Sequence, residues 1–199
     1  LLVLIGTAQG NLMVSNLDHE PTRSAAIASD AWIAQRFSIF ATDPNTYVLD
    51  HVQLRLDAAS GDPNDFSVSI YGAVSGIPQY LLGDLVGPDD PSATGIYTYS
   101  ASGITVSSGS DYYAVVRAAT PSAQGSYNWS GVNTTAQNGT WVIGSRNWGS
   151  SDGLNWTLLS REQVFQMAIY ATIVPEPATL SLVGLGVGFL FLLRRRASR

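Results

Sequence analysis

From about residue 30 onward, apolar and polar positions alternate with a period of two, the pattern of strands that bury one face. In residues 47–56 the alternation puts Val48, Val52, Leu54 and Leu56 on one face. Phe66, Val68 and Ile70 alternate with Ser67, Ser69 and Tyr71, and further β-rich runs cover residues 96–99, 112–116 and 165–172. Turn-forming clusters separate these runs: Gly61-Asp62-Pro63-Asn64, Gly87-Pro88-Asp89-Asp90-Pro91, Ser108-Gly109, Asn138-Gly139 and Asp152-Gly153. Short strands at this spacing predict an all-β fold, a jelly-roll-like β-sandwich over residues 30–173.

The two ends break the pattern. Leu1, Leu2, Val3, Leu4 and Ile5 read as the end of a signal-peptide apolar region, and Ala8-Gln9-Gly10 offers the small residues that signal peptidase favours. Residues 1–10 are therefore expected to be a signal remnant, with 11–29 an N-terminal segment ahead of the sandwich. At the other end, Val174-Pro175-Glu176-Pro177 forbids continuation of a strand and stiffens an extended linker. Residues 178–193 then carry no charge, and about sixteen helical residues span roughly 24 Å, somewhat short of a hydrocarbon core of about 30 Å. A thinner bilayer or snorkelling flanks absorb the difference. Arg194, Arg195, Arg196 and Arg199 follow. By the positive-inside rule they stay cytoplasmic and everything before residue 174 lies outside. A single transmembrane helix over 178–193 is thus expected. Gly184 and Gly188 in it form a small-residue pair that lets two helices approach.

The order of these three parts, Val174-Pro175-Glu176-Pro177, an apolar stretch and an arginine-rich end, resembles the PEP-CTERM sorting signal over residues 174–199. The resemblance implies recognition at Pro175, Glu176 and Pro177 by exosortase, a membrane-embedded cysteine protease, and cleavage near the motif. It further implies an exported protein of a Gram-negative, exopolysaccharide-making bacterium. The body is similar to the choice-of-anchor domains that precede such tails, most of all the R type. The likeness lies in Ala34-Gln35-Arg36-Phe37, in residues 66–71 and in Ser107-Ser108-Gly109-Ser110-Asp111-Tyr112-Tyr113. It supports a sandwich and transfers no catalytic residue.

Composition narrows the chemistry. The chain has no cysteine, which excludes disulfides, thiolate metal sites and cysteine nucleophiles. All ten basic residues are arginine, and four of them are the terminal ones just named, against fifteen acids in the whole chain. An acidic body is wrong for binding phosphate backbones, so nucleic acid is not an expected partner.

Several local groupings suggest chemistry. Gly149-Ser150-Ser151-Asp152-Gly153 has the spelling of a hydrolase nucleophile elbow, but both histidines, His19 and His51, precede it, whereas that motif needs a later one. Asp50 and His51 are neighbours, yet adjacent strand residues point to opposite faces. Asp62, Asn64 and Asp65 supply oxygen ligands in one loop, with Asp89 and Asp90 in another, which makes them calcium candidates and equally ordinary turn residues. Trp129, Trp141, Trp148 and Trp156 fall with Tyr127 in an Asn/Ser/Gly-rich stretch. Flat rings beside amides suit a sugar face, and they suit a sandwich core without disulfides as well. Asn128, Asn133, Asn138 and Asn155 begin N-x-S/T sequons, which composition alone explains.

The expectation is an exported surface or exopolysaccharide-matrix protein without catalysis or cofactor, held transiently in the inner membrane and sorted by exosortase. The alternatives are an extracellular carbohydrate-binding module using the tryptophans and, more remotely, a secreted hydrolase.

Overall fold

Residue-by-residue alternation becomes two antiparallel sheets facing each other in the computed structural model, which describes residues 10–160 and 163–174. Fifteen strands are numbered in chain order. The first sheet runs β11 (Asn138–Gly139), β1 (Asn11–Ser15), β15 (Met167–Ile173), β4 (Thr46–Gly61), β10 (Gly125–Val132), β14 (Val164–Phe165). On it, β2 (Arg23–Ile27) pairs with β10, while β7 (Gly95–Ser100) and β8 (Thr105–Ser107) pair with β4. The second sheet runs β13 (Thr157–Ser160), β12 (Val142–Ser150), β3 (Trp32–Ser38), β9 (Asp111–Arg117), β5 (Ser67–Val74), β6 (Ile77–Leu85). The described residues contain strands, turns and loops and no helix, as the period-two pattern requires. Residues 11–27, ahead of the alternating region, supply two strands: β1 pairs with β15 and with β11, and β2 pairs along β10.

One continuous core fills the space between the sheets. Leu54, Leu56, Ile70, Val116 and Ile169 are among its fully buried members, and Tyr99, Trp129 and Trp141 are its largest side chains. Trp141 spans the layer: it stacks on Phe37 of β3 at 6.1 Å and meets Tyr47 of β4 edge-on at 5.1 Å. Phe66 packs edge-on to Tyr127 at 5.1 Å. Large rings at these junctions supply packing in a chain that has no cysteine for disulfides.

Polar groups inside the sandwich are tied to backbone atoms of both sheets. Gln35 is fully buried. Its Nε2 donates to the Gly144 carbonyl at 2.6 Å, and its Oε1 accepts the Phe165 N–H at 2.8 Å. One amide therefore joins β3 and the second-sheet strand β12 to β14 of the first sheet. Asn16 splints the neighbouring turn, donating to the Phe165 carbonyl at 3.2 Å and accepting the Met167 N–H at 2.8 Å. Changing Gln35 to leucine leaves a buried N–H and a carbonyl without partners. At roughly 1–3 kcal/mol per stranded group, the loss is expected to be about 3 kcal/mol, read as a lower urea midpoint.

The long strand β4 departs from simple alternation. Tyr47 and Leu49 point into the core and so do Val52, Leu54 and Leu56, whereas Val48 is only half-buried. The expectation that Val48 shares a face with Val52 is therefore wrong, and the cause is a β-bulge. On β15, Tyr170 faces His51 and the next residue, Ala171, faces Leu49, so Asp50 is an extra residue that inverts the phase. Gly10 makes room for it: a Cβ there would lie 2.6 Å from the Asp50 Cβ.

Candidate functional site

The bulge that misaligns β4 also brings together a pair that alternation would separate. The His51 Nδ1 lies 2.5 Å from the Asp50 Oδ2, and the His51 ring stacks on Tyr170 at 4.1 Å. The expectation that Asp50 and His51 point apart is corrected by the inserted residue. The pair sits where β4 is paired with β15 on one side and β7 on the other, beside Tyr170 and Gly10. It is a packed polar pair beside a ring.

The Gly149–Gly153 region joins β12 to β13, strand to strand, where a nucleophile elbow would join strand to helix. Asp152 organises the turn. Its Oδ1 accepts the backbone N–H groups of Leu154 and Asn155, both at 2.8 Å, and the Ser150 hydroxyl at 2.9 Å. Its Oδ2 takes the Asn155 amide at 2.6 Å. These donors, the Asn155 N–H first, hold the Asp152 carboxyl well below the usual carboxylate range. Ser151 is exposed beside this turn. His19, the other histidine, bonds through Nε2 to the Ala136 carbonyl at 3.0 Å.

Asp152 shares its depressed proton affinity with Asp30, bonded to Ser122, and Asp43, bonded to Tyr47 and Asn45. A carboxylate whose folded pKa is lowered contributes stability above its unfolded value, and that contribution is lost as pH falls through the folded value. These three groups thus add no slope between pH 7 and roughly 5, and stability is expected to fall below about pH 4. Urea midpoints measured across that range check this, and Asp152→Asn removes part of the acid limb.

Of the calcium candidates, the Asn64 and Asp90 side chains bond to protein groups. The Thr120 hydroxyl donates to the Asn64 Oδ1 and accepts the Asn64 N–H. Tyr127 places its hydroxyl 3.1 Å from the Asp90 Oδ1 and 3.2 Å from the Pro63 carbonyl, pinning the two acidic loops together. Burial, with Asp90 beside it, pushes the Tyr127 hydroxyl pKa up, so it stays a donor. Among the described residues no group of three or more histidine or acidic side chains converges on a metal position.

The four grouped tryptophans divide. Trp129 and Trp141 are buried to within 1 % of their surface and cannot touch a large ligand. Trp148 and Trp156 are half-buried on the outer face of the second sheet. There they pack with Trp32, Tyr71 and Ala73 on a small buried cluster of Ala34, Tyr113 and Val115. The Trp148 Nε1 lies 3.2 Å from the Tyr113 hydroxyl, which donates to the Gly76 carbonyl at 2.5 Å. Trp32 donates through Nε1 to the Ser29 carbonyl at 2.9 Å, and Arg117 lies over its ring at 5.1 Å. Gly153 brings the turn against Trp32, since a Cβ there would stand 2.5 Å from the ring. Sequence grouping missed Trp32 because it lies far from the others along the chain. Its signal is parity: Trp32, Ala34 and Arg36 alternate with the inward Ile33, Gln35 and Phe37.

The C-terminal junction completes the candidate sites. β15 lies between β1 and β4, and after Ile173 the Val174 N–H donates to the Thr46 carbonyl at 2.8 Å. Pro175, Glu176, Pro177, the apolar stretch 178–193 and Arg194, Arg195, Arg196 and Arg199 lie outside the described residues, as do residues 1–9. Among the described residues no helix is long and apolar enough to cross a membrane. No curated protein matches the chain. Residues 174–196 match the PEP-CTERM protein-sorting motif, so the tail carries the signal of an exported protein sorted through exosortase.

Proposed function

We propose that this is a non-enzymatic surface protein whose sandwich is a choice-of-anchor type domain displayed outside the cell. Residues 178–193 hold the precursor as a single-pass helix in the inner membrane, with Arg194, Arg195, Arg196 and Arg199 on the cytoplasmic side. Exosortase cuts near Pro175-Glu176-Pro177, and the released body is retained in the exopolysaccharide matrix.

The observation that carries this reading is how directly the sorting motif follows the last described strand. The last described strand, β15, ends at Ile173, the Val174 N–H bonds to the Thr46 carbonyl, and the sorting motif begins at Val174. Two prolines within three residues cannot extend a strand ladder and stiffen the segment that a protease would have to meet. Because β15 is an interior strand, the tether is attached where the sheet is paired on both sides. Labelling intact cells with antibodies raised against the purified body tests the display. Surface signal without permeabilisation is expected, and signal appearing only after permeabilisation would count against export of the sandwich.

A further inference from the structure

We propose that the outer face of the second sheet is a docking surface for an anionic polysaccharide, its rings stacking on sugar faces and its arginines pairing with acidic sugar groups.

Three tryptophans from separate parts of the chain, Trp32, Trp148 and Trp156, converge half-open on one face that no other described element covers. The middle of that face is kept low. Ala34 is paired in register with Trp148 on one side and Val115 on the other, and Ala34 is completely buried. Flat rings around a short central residue offer the C–H faces of a sugar chain a broad contact, at little cost in side-chain freedom.

Charge decides which kind of sugar. Outside the last six residues the chain has only six arginines and is strongly acidic, yet three of the six gather at this face. Arg36 extends from β3 and is paired with Asp111 at 2.9 Å. Arg117 ends β9 over the Trp32 ring. Arg146 belongs to a bulge in β12, where Gly144, Ser145 and Arg146 stand opposite the single residue Arg36. Arg117 and Arg146 are exposed and have no carboxylate partner among the described residues. Of the described acids near this face, Asp111 is ion-paired with Arg36. Asp84, on the Ser69 hydroxyl at 2.6 Å, and Asp152, in its own turn, are fixed by hydrogen bonds that leave their charge in place, and they pair with neither Arg117 nor Arg146. Guanidinium groups pair with carboxylates in a planar, two-bond geometry, and uronic acids present such groups at regular intervals along a polymer. A neutral glucan would use the rings and leave the arginines idle.

The export reading places this face where such polymers are met, but binding by the purified chain is independent of cleavage. Full-length protein in mild detergent would be titrated with polygalacturonate and with dextran, following tryptophan emission and retardation in polymer-containing native gels. Binding to polygalacturonate that weakens with added salt, with little response to dextran, is expected. The double variant Arg117→Gln/Arg146→Gln alters only exposed side chains and gives up one exposed cation–π contact, so its stability should fall by no more than about 1 kcal/mol, while its dissociation constant rises on the order of tenfold. Trp156→Leu should weaken binding by a similar factor. Equal binding of wild type and double variant, equal response to dextran, or no response to polygalacturonate would overturn the proposal. So would arginine-dependent binding to phosphatidylglycerol vesicles without any to the polysaccharide.

Discussion

Replacing Trp129 by alanine is expected to lower the unfolding free energy by about 4 kcal/mol. The indole is completely buried, stacks on Phe165 at 4.9 Å and donates to the Gln166 carbonyl at 2.9 Å. Truncation leaves a cavity between β10 and β14, and deletions of buried tryptophan cost roughly 3–5 kcal/mol. The hydrogen-bond part of the loss is small, because the Gln166 carbonyl keeps the Arg55 N–H at 3.2 Å. A domain of this kind has only about 5–15 kcal/mol in total, so the variant should sit close to its unfolding transition. Chemical denaturation followed by far-ultraviolet circular dichroism reads this directly. Trp156→Leu on the outer face should shift the midpoint far less, by under about 1 kcal/mol. Equal losses at the two positions would mean that Trp129 and Trp156 do not occupy such different surroundings.

The second large effect concerns delivery. Changing Pro175, Glu176 and Pro177 together to alanine is expected to abolish processing while leaving the sandwich intact. The described core is built up to β15, whose last residue is Ile173, and the three positions follow it. The precursor should then collect in the membrane fraction at full length, with a thermal midpoint of the body equal to wild type. Normal release of the triple variant would show that the motif does not direct cleavage. A lowered midpoint would show instead that the linker is part of the fold.

How much of this could be read from residues alone depended on what kept or broke parity. Where strands are regular, as in residues 66–71, alternation identified the inward Phe66, Val68 and Ile70 correctly. The bulge in β12 inserts two extra residues, which preserves parity, so Trp141 inside and Trp148 outside, seven residues apart, agree with simple alternation. The bulge in β4 inserts one, which inverts it, and the inward face passes from Tyr47 and Leu49 to Val52. Nothing local to β4 announces that change. It depends on how β15 pairs, and on a glycine forty residues earlier that leaves room for Asp50. The Asp50–His51 pair was hidden for the same reason.

The outer aromatic face was illegible for a different reason. Trp148 and Trp156 stand close in sequence to Trp129 and Trp141, and composition groups all four. Sheet order sets Trp129 of β10 in the first sheet apart from β12 and β13 of the second, while strand facing turns Trp141 inward and Trp148 outward. Trp32 joins the outer pair only through the β3–β12 pairing, across more than a hundred residues. The sorting tail is the opposite case. Its information is local, a linker, an apolar run and a charge cluster in fixed order, and it is readable without any fold at all.

The measurement that tests the central claim most directly is intact-mass spectrometry of the mature protein purified from its native cell surface. Exosortase sorting predicts a chain that ends near Pro177, without the apolar stretch and without Arg194, Arg195, Arg196 and Arg199. Any additional mass on the new end would identify what the body is joined to. A mature protein that still ends in Arg199 would contradict cleavage and make the tail a permanent anchor.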